Sequence, residues 1–89
     1  MKIKKGYKLK NVDGKQTVVA DRRINKNFNS LIILNDTAVF LWNLLLERNV
    51  TKQEMLEELL NNFPISTVLA LSNIDVFVKA LKENEIIEE

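Results

Sequence analysis

With 89 residues, no Cys and no His, the chain has material for one core and none for disulfides, thiolate ligands or imidazole chemistry. Its hydrophobic fraction of 46% and charged fraction of 28% are ordinary globular values and argue against wholesale disorder. The formal net charge of +1 conceals a division: residues 1–30 carry nine Lys/Arg against two Asp, and residues 31–89 carry four Lys/Arg against ten Asp/Glu.

The basic first third suits an acidic peptide or phosphates, but its lysines are read first as the solvated faces of short strands. Tyr7-Lys8-Leu9-Lys10-Asn11-Val12 alternates apolar with polar, the period of a half-buried strand. Asp13-Gly14 follows, a dipeptide suited to the positive φ angles of a type I′ hairpin turn. Gln16-Thr17-Val18-Val19-Ala20 is the return strand, expected over about 16–21, and Asp21–Asn27 a polar connector. Phe28-Asn29-Ser30-Leu31-Ile32-Ile33-Leu34 is expected as a third strand over 28–34, apolar on both faces toward its end.

Residues 36–47 form the helix around which the rest is organised. Asn35 or Asp36 can cap it, and Ala38, Leu41, Trp42 and Leu45 fall at i, i+3, i+4, i+7. Val39, Phe40, Leu44 and Leu46 widen the apolar surface, so this helix must be covered on most sides. The only Trp of the chain, Trp42, is assigned to the core. Thr51-Lys52-Gln53-Glu54 is a capping box that opens a second helix over 52–62, which Pro64 ends. Met55, Leu56, Leu59, Leu60 and Phe63 line its inner face. Ser66 can cap a third helix over 67–83, with Leu71, Ile74, Phe77, Val78 and Leu81 at helical spacing, although Ser72 and Asp75 could mark a second start. Asn84 suits the left-handed position after that helix, and Ile86 and Ile87 are expected to pack the tail back.

The fold class is α+β: one domain over residues 1–89, with a three-stranded antiparallel sheet followed by three helices, similar to a winged helix-turn-helix unit. DNA binding is the obvious use of that shape. The helix over 52–62, however, carries one Lys against three Glu, and the third helix sets Lys79 and Lys82 against Asp75 and Glu83. A phosphate backbone rewards each neutralising cation, so neither helix matches it, and no nucleic-acid partner is expected. Catalysis is disfavoured as well. Glu54, Glu57 and Glu58 stand opposite an apolar stripe, where carboxylates form a solvated face, and Gly6 and Gly14 are isolated. No metal or other cofactor is expected. No apolar run reaches the about 18 residues of a membrane span, and the N-terminal lysines lack the apolar segment of a signal peptide, so a cytoplasmic protein is expected.

Gly6-Tyr7-Lys8-Leu9 and the Asp13-Gly14 hairpin precede Leu34-Asn35-Asp36-Thr37-Ala38 and Leu41-Trp42; then come Thr51-Lys52-Gln53-Glu54, Asp75-Val76-Phe77, Leu81 and Asn84-Glu85-Ile86-Ile87. In that order and spacing the chain resembles the PqqD family, named for pyrroloquinoline quinone biosynthesis protein D and also called the precursor-peptide recognition element. The Leu-Asn-Asp-Thr-Ala and Leu-Trp run is the most specific part. Asn84-Glu85 departs from the Gly-Leu usual in the family.

The resemblance implies a non-catalytic domain that binds the leader segment of a ribosomally made precursor peptide and presents it to a modifying enzyme, a radical S-adenosylmethionine enzyme or a protease. The leader is expected to add as a strand to the third-strand edge, at Asn29, Ser30, Leu31, Ile32 and Ile33. The third helix would close the groove with Ile74, Phe77, Val78 and Leu81, with Lys79 and Lys82 at its rim. An open strand edge offers unpaired N–H and C=O groups to an extended peptide, which agrees with this implication. Leu31 and Ile33 share one strand face while Ser30 and Ile32 share the other, so only one pair can line a pocket. The alternatives are a homodimer formed through that edge with no peptide client, and a small winged-helix regulator.

Overall fold

A computed structural model describes residues 1–21, 23–24, 28 and 31–88. The elements run β1 (Lys2–Ile3), β2 (Tyr7–Val12), β3 (Lys15–Ala20), β4 (Ile33–Leu34), α1 (Asp36–Glu47), α2 (Lys52–Asn62), α3 (Thr67–Glu83) and β5 (Ile87–Glu88). β2, β3 and β4 make one antiparallel sheet in that order. The hairpin closes with Val12 opposite Lys15. Asp13 and Gly14 between them have φ of 53° and 82°, the signs a type I′ turn requires.

On the other side of β3, Thr17 faces Ile33 and Gln16 faces Leu34. The Val18 N–H donates to the Ile32 carbonyl at 2.9 Å, which carries the pairing one residue further. The strand expected over 28–34 is therefore short, Ile33–Leu34 among the described residues. In this register β3, which ends at Ala20, has no residue left to pair with Phe28. Phe28 instead packs edge-on against Tyr7, with ring centroids 5.6 Å apart.

A second, two-stranded sheet was not foreseen. β1 pairs antiparallel with β5, with Ile3 opposite Ile87 and the Lys4 N–H donating to the Ile86 carbonyl at 2.8 Å. Each strand has two residues, too few for an alternating pattern to register. Ile86 and Ile87 are buried by this pairing, as the tail reading required.

Each helix begins on a side-chain cap. Asn35 Oδ1 accepts from the Ala38 N–H at 3.0 Å. Thr51 Oγ1 accepts from the Glu54 N–H at 3.1 Å while Glu54 Oε1 accepts from the Thr51 N–H at 3.2 Å, completing the capping box. Ser66 Oγ accepts from the Leu69 N–H at 3.1 Å. α3 runs unbroken through Ser72 and Asp75. The core is built from Leu41, Trp42 and Leu45 of α1, Met55 and Leu59 of α2, and Ala70, Ile74, Phe77, Val78 and Leu81 of α3, with Ile3, Val18 and Leu34 from the strands. Leu71, read as an inward residue, is exposed, and so is Leu60. Trp42 is wholly buried, and its Nε1–H has no partner among the described residues.

The end of α3 corrects one expectation. The left-handed residue is Glu85, with φ of 57°, whereas Asn84 has φ of −99°. The Glu85 N–H donates to the Lys82 carbonyl at 3.0 Å and the Ile86 N–H to the Leu81 carbonyl at 2.9 Å. This is the Schellman arrangement, sealed by the contact class it favours between two apolar residues, here the wholly buried Leu81 and Ile86. Asn84 supports the turn differently, donating its Nδ2 to the Ala80 carbonyl at 2.8 Å. Among the described residues, no helix is long and apolar enough to cross a membrane.

Candidate functional site

Antiparallel pairing settles which backbone groups at β4 are free. In such a ladder a residue whose N–H and C=O point to one neighbour alternates with residues that point away. The Val18 N–H reaches the Ile32 carbonyl, so Ile32 and Leu34 direct their backbone groups at β3. Ile33 therefore turns its N–H and C=O outward, to an edge with no further strand among the described residues. The side chains alternate in the same way. Leu34 is buried and Ile32 half-buried against the core, while Ile33 is 47% and Leu31 77% exposed.

Immediately beside this edge, toward α3, lies an open groove of about 220 Å³. Its lining is Ile32, Ile33, Leu34 and Asn35 from the β4 segment, Ala38 from α1, and Asn73, Val76, Phe77 and Ala80 from α3. The α1 cap places Ala38 in the first turn under the strand, and Thr37 Oγ1 ties α1 to α3 by accepting from Asn73 Nδ2 at 3.4 Å. Val76 is 68% exposed, an apolar side chain standing free on the groove wall. No Asp, Glu, Lys or Arg lines the groove, so it offers backbone hydrogen bonding and apolar contact, with no charge at the floor.

A wider concavity of about 450 Å³ is bounded by Gly6, Tyr7, Lys8, Ala20, Asp21 and Arg23. Asp21, the only acid among the described residues of its lining, is engaged by Arg23, whose Nη2 lies 2.9 Å from Asp21 Oδ2 and which holds the carboxyl below the usual carboxylate range. We therefore place the site at the β4 groove. Among the described residues no group of His, Cys, Asp and Glu is arranged to hold a metal ion.

A sequence profile of the PqqD family, coenzyme PQQ synthesis protein D, matches residues 10–87. The chain belongs to the PqqD family. A search of curated proteins found no match. Among solved structures the chain is similar to "TbiB1 in Complex with the TbiA(beta) Leader Peptide", with a TM-score of 0.70 and 17% identity over 99% of this chain and 95% of that one. At that identity the likeness establishes the α+β fold with its three-stranded sheet and three helices.

In this PqqD-family chain, the residues expected at the site separate into several groups. Ile32 and Ile33 line the groove with Phe77. Leu31 is described and exposed but stands outside the lining, and Asn29 and Ser30 lie outside the described residues. Ile74, Val78 and Leu81 are core, each at most 4% exposed, and do not wall the groove. The reason is angular. At about 100° per residue, Asn73, Val76, Phe77 and Ala80 share one stripe, whereas Ile74, Leu81 and Val78 lie roughly 90–150° round the helix, facing α1 and α2. The same arithmetic removes the lysines from the rim: Lys79 falls roughly 110° and Lys82 roughly 170° from the centre of the groove stripe. Lys79 instead approaches Glu83 at 4.0 Å. Asn73, Val76, Ala80 and Ala38 were missed. The available signal was Val76, an apolar residue one step outside the core stripe, with small residues on the same line at Ala80 and across at Ala38.

Proposed function

We propose that this domain is a non-catalytic recognition module for the leader segment of a ribosomally made precursor peptide. The leader adds as a strand to the β4 edge, pairing with the outward N–H and C=O of Ile33, and drops alternate side chains into the groove beside α3. The observation that carries the reading is the coincidence of the two features: an uncharged strand edge, unpaired among the described residues, that itself lines an apolar groove. Main-chain pairing of this kind supplies affinity, and flanking pockets for alternate side chains supply specificity.

Membership of the PqqD family supports the reading, and so does a fold shared with a protein whose structure is described as a leader-peptide complex. The bound leader is then presented to a peptide-modifying enzyme, a radical S-adenosylmethionine enzyme or a protease, the chain itself having neither His nor Cys for proton transfer or nucleophilic attack. The cytoplasm, where precursor peptides are made, is the expected compartment.

The test is a titration of the isotope-labelled domain, followed by NMR, with the leader segment of a precursor peptide encoded beside it. Saturable shifts concentrated on Leu31–Leu34 and Asn73–Ala80 are expected. A dispersed, folded spectrum that no neighbouring precursor peptide moves would overturn the reading.

A further inference from the structure

The groove is apolar apart from Asn35 and Asn73, and these two amides are not equivalent. Asn35 Oδ1 is occupied, accepting both the Ala38 N–H at 3.0 Å and the Thr37 hydroxyl at 3.0 Å. Because that oxygen can only accept, the Thr37 hydroxyl must spend its one hydrogen on it. Thr37 Oγ1 is left with lone pairs alone. Asn73, 3.4 Å away, can therefore satisfy Thr37 only by presenting its NH₂ group. The α1 cap thus fixes the orientation of an amide on α3 and leaves Asn73 Oδ1 as an acceptor with no partner among the described residues.

We propose that Asn73 Oδ1 is the specificity-determining acceptor of the groove. It reads a peptide side chain that has an apolar body, to fill the space between Ala38, Val76, Phe77 and Ala80, and a hydrogen-bond donor at its end. This rests on the leader reading above. The strand register identifies the position: the peptide residue opposite Ile33 shares its outward face, so the residues on either side of that one point to the α3 face. A purely apolar side chain there covers the Asn73 acceptor without replacing its hydrogen bond to water, and so binds less well than one that carries a donor.

The probe is the leader segment of the titration above, with each residue flanking the Ile33 partner set in turn to Val, Thr, Phe and Tyr. Thr against Val and Tyr against Phe are near-isosteric pairs that differ by a hydroxyl. The domain is expected to prefer the hydroxyl member of at least one pair at one position by about tenfold in Kd. In Asn73→Leu the ratio falls to about one. In Thr37→Val it also falls, because the amide loses the contact that orients it, although Asn73 is still present; a merely structural role for Asn73 would lower all affinities together and leave the ratio unchanged. Ratios near one in the unmodified domain, or a hydroxyl preference retained in Asn73→Leu, overturn the inference while leaving the leader reading standing. Absence of binding by every peptide overturns the leader reading itself, and this inference with it.

Discussion

The two outer edges of the β2–β3–β4 sheet expose the same kind of backbone and very different side chains. β2 runs Tyr7–Val12 with exposed Lys8 and Lys10, while β4 offers Ile33 and, just before it, Leu31, with no charged residue in the segment. Lysines on an edge strand deter pairing, because a second strand would have to bury or crowd their charges. β4 lacks that protection and has a groove beside it instead. One edge is guarded by charge and the other is not. The proposed strand addition falls on the uncharged edge of a sheet whose backbone alone could accept a strand on either side.

The largest expected effect removes both edges together. Trp42 is wholly buried in α1 and touches the core shared by sheet and helices. Trp42→Ala should cost about 3–5 kcal/mol, a large share of the stability of a domain this size. Thermal melting followed by circular dichroism should show strand and helix signals lost in one transition. Separate transitions would mean that the sheet does not depend on the helical core.

Ile33→Pro separates the edges. The Ile33 N–H points away from β3, so proline deletes the donor offered to a peptide and leaves the β3 ladder in place. Leader affinity should fall by at least about tenfold, the value of roughly one hydrogen bond, while the melting temperature moves little. Leu9→Pro makes the matching change on β2, where the hairpin register turns Leu9 outward, and should leave leader affinity unchanged. Equal losses from both would show that the peptide does not distinguish the edges. Replacing the lysines sharpens the contrast further. With Lys8→Val and Lys10→Val the β2 edge resembles β4, and sedimentation should reveal self-association beyond that of the unmodified chain. An unchanged mass would show that Lys8 and Lys10 are not what closes that edge.

Local signals in the sequence reached the helices and the hairpin well. Asn35, Thr51 and Ser66 cap by chemistry confined to four residues, and Asp13-Gly14 dictates its own turn. The short β4 was harder. Its pairing is with a strand that ends 13 residues before β4 begins, and no local pattern carries that register. The groove wall was misread for a related reason. Ile74 and Val76 are both apolar on one helix, and only the placement of α1, α2 and β4 around α3 decides which is core and which is wall. The third-strand edge over Asn29–Ile33 came with the family resemblance, and which backbone groups point outward from it needed the register.

Glu85→Gly provides a change that touches neither edge. Glu85 holds φ of 57°, where a Cβ is unfavourable and glycine is at ease. Its side chain is exposed, so glycine loses little packing. Relief of the strain should outweigh the added freedom of the unfolded chain and raise stability by up to about 1 kcal/mol, seen as a higher denaturant midpoint with an unchanged slope. Leader affinity should not change. If it rose with stability, the edge would be coupled to the C-terminal end of α3, and the two edges could no longer be compared as rigid parts of one sheet.

Acidification should give the smallest effect, at an ion pair outside the groove lining. Arg48 Nη1 lies 2.7 Å from Glu54 Oε2, and with the Thr51 backbone N–H it holds the Glu54 carboxyl below its ordinary value of 4.5. A depressed folded-state value means that the unfolded chain takes up the proton first. The contribution to stability is present above about pH 4.5 and is lost as pH falls through the lower folded value. Both partners are well exposed to solvent, so the effect is small and screened by salt. Glu54→Gln keeps a side-chain acceptor for the capping box but cannot titrate. Between the unmodified chain and this variant, the difference in denaturant midpoint should be largest near neutral pH and should shrink on acidification. A difference that stays constant with pH would assign the stability to the cap geometry alone. Because α2 contributes nothing to the groove lining, leader affinity at the β4 edge should follow neither the variant nor this part of the pH change.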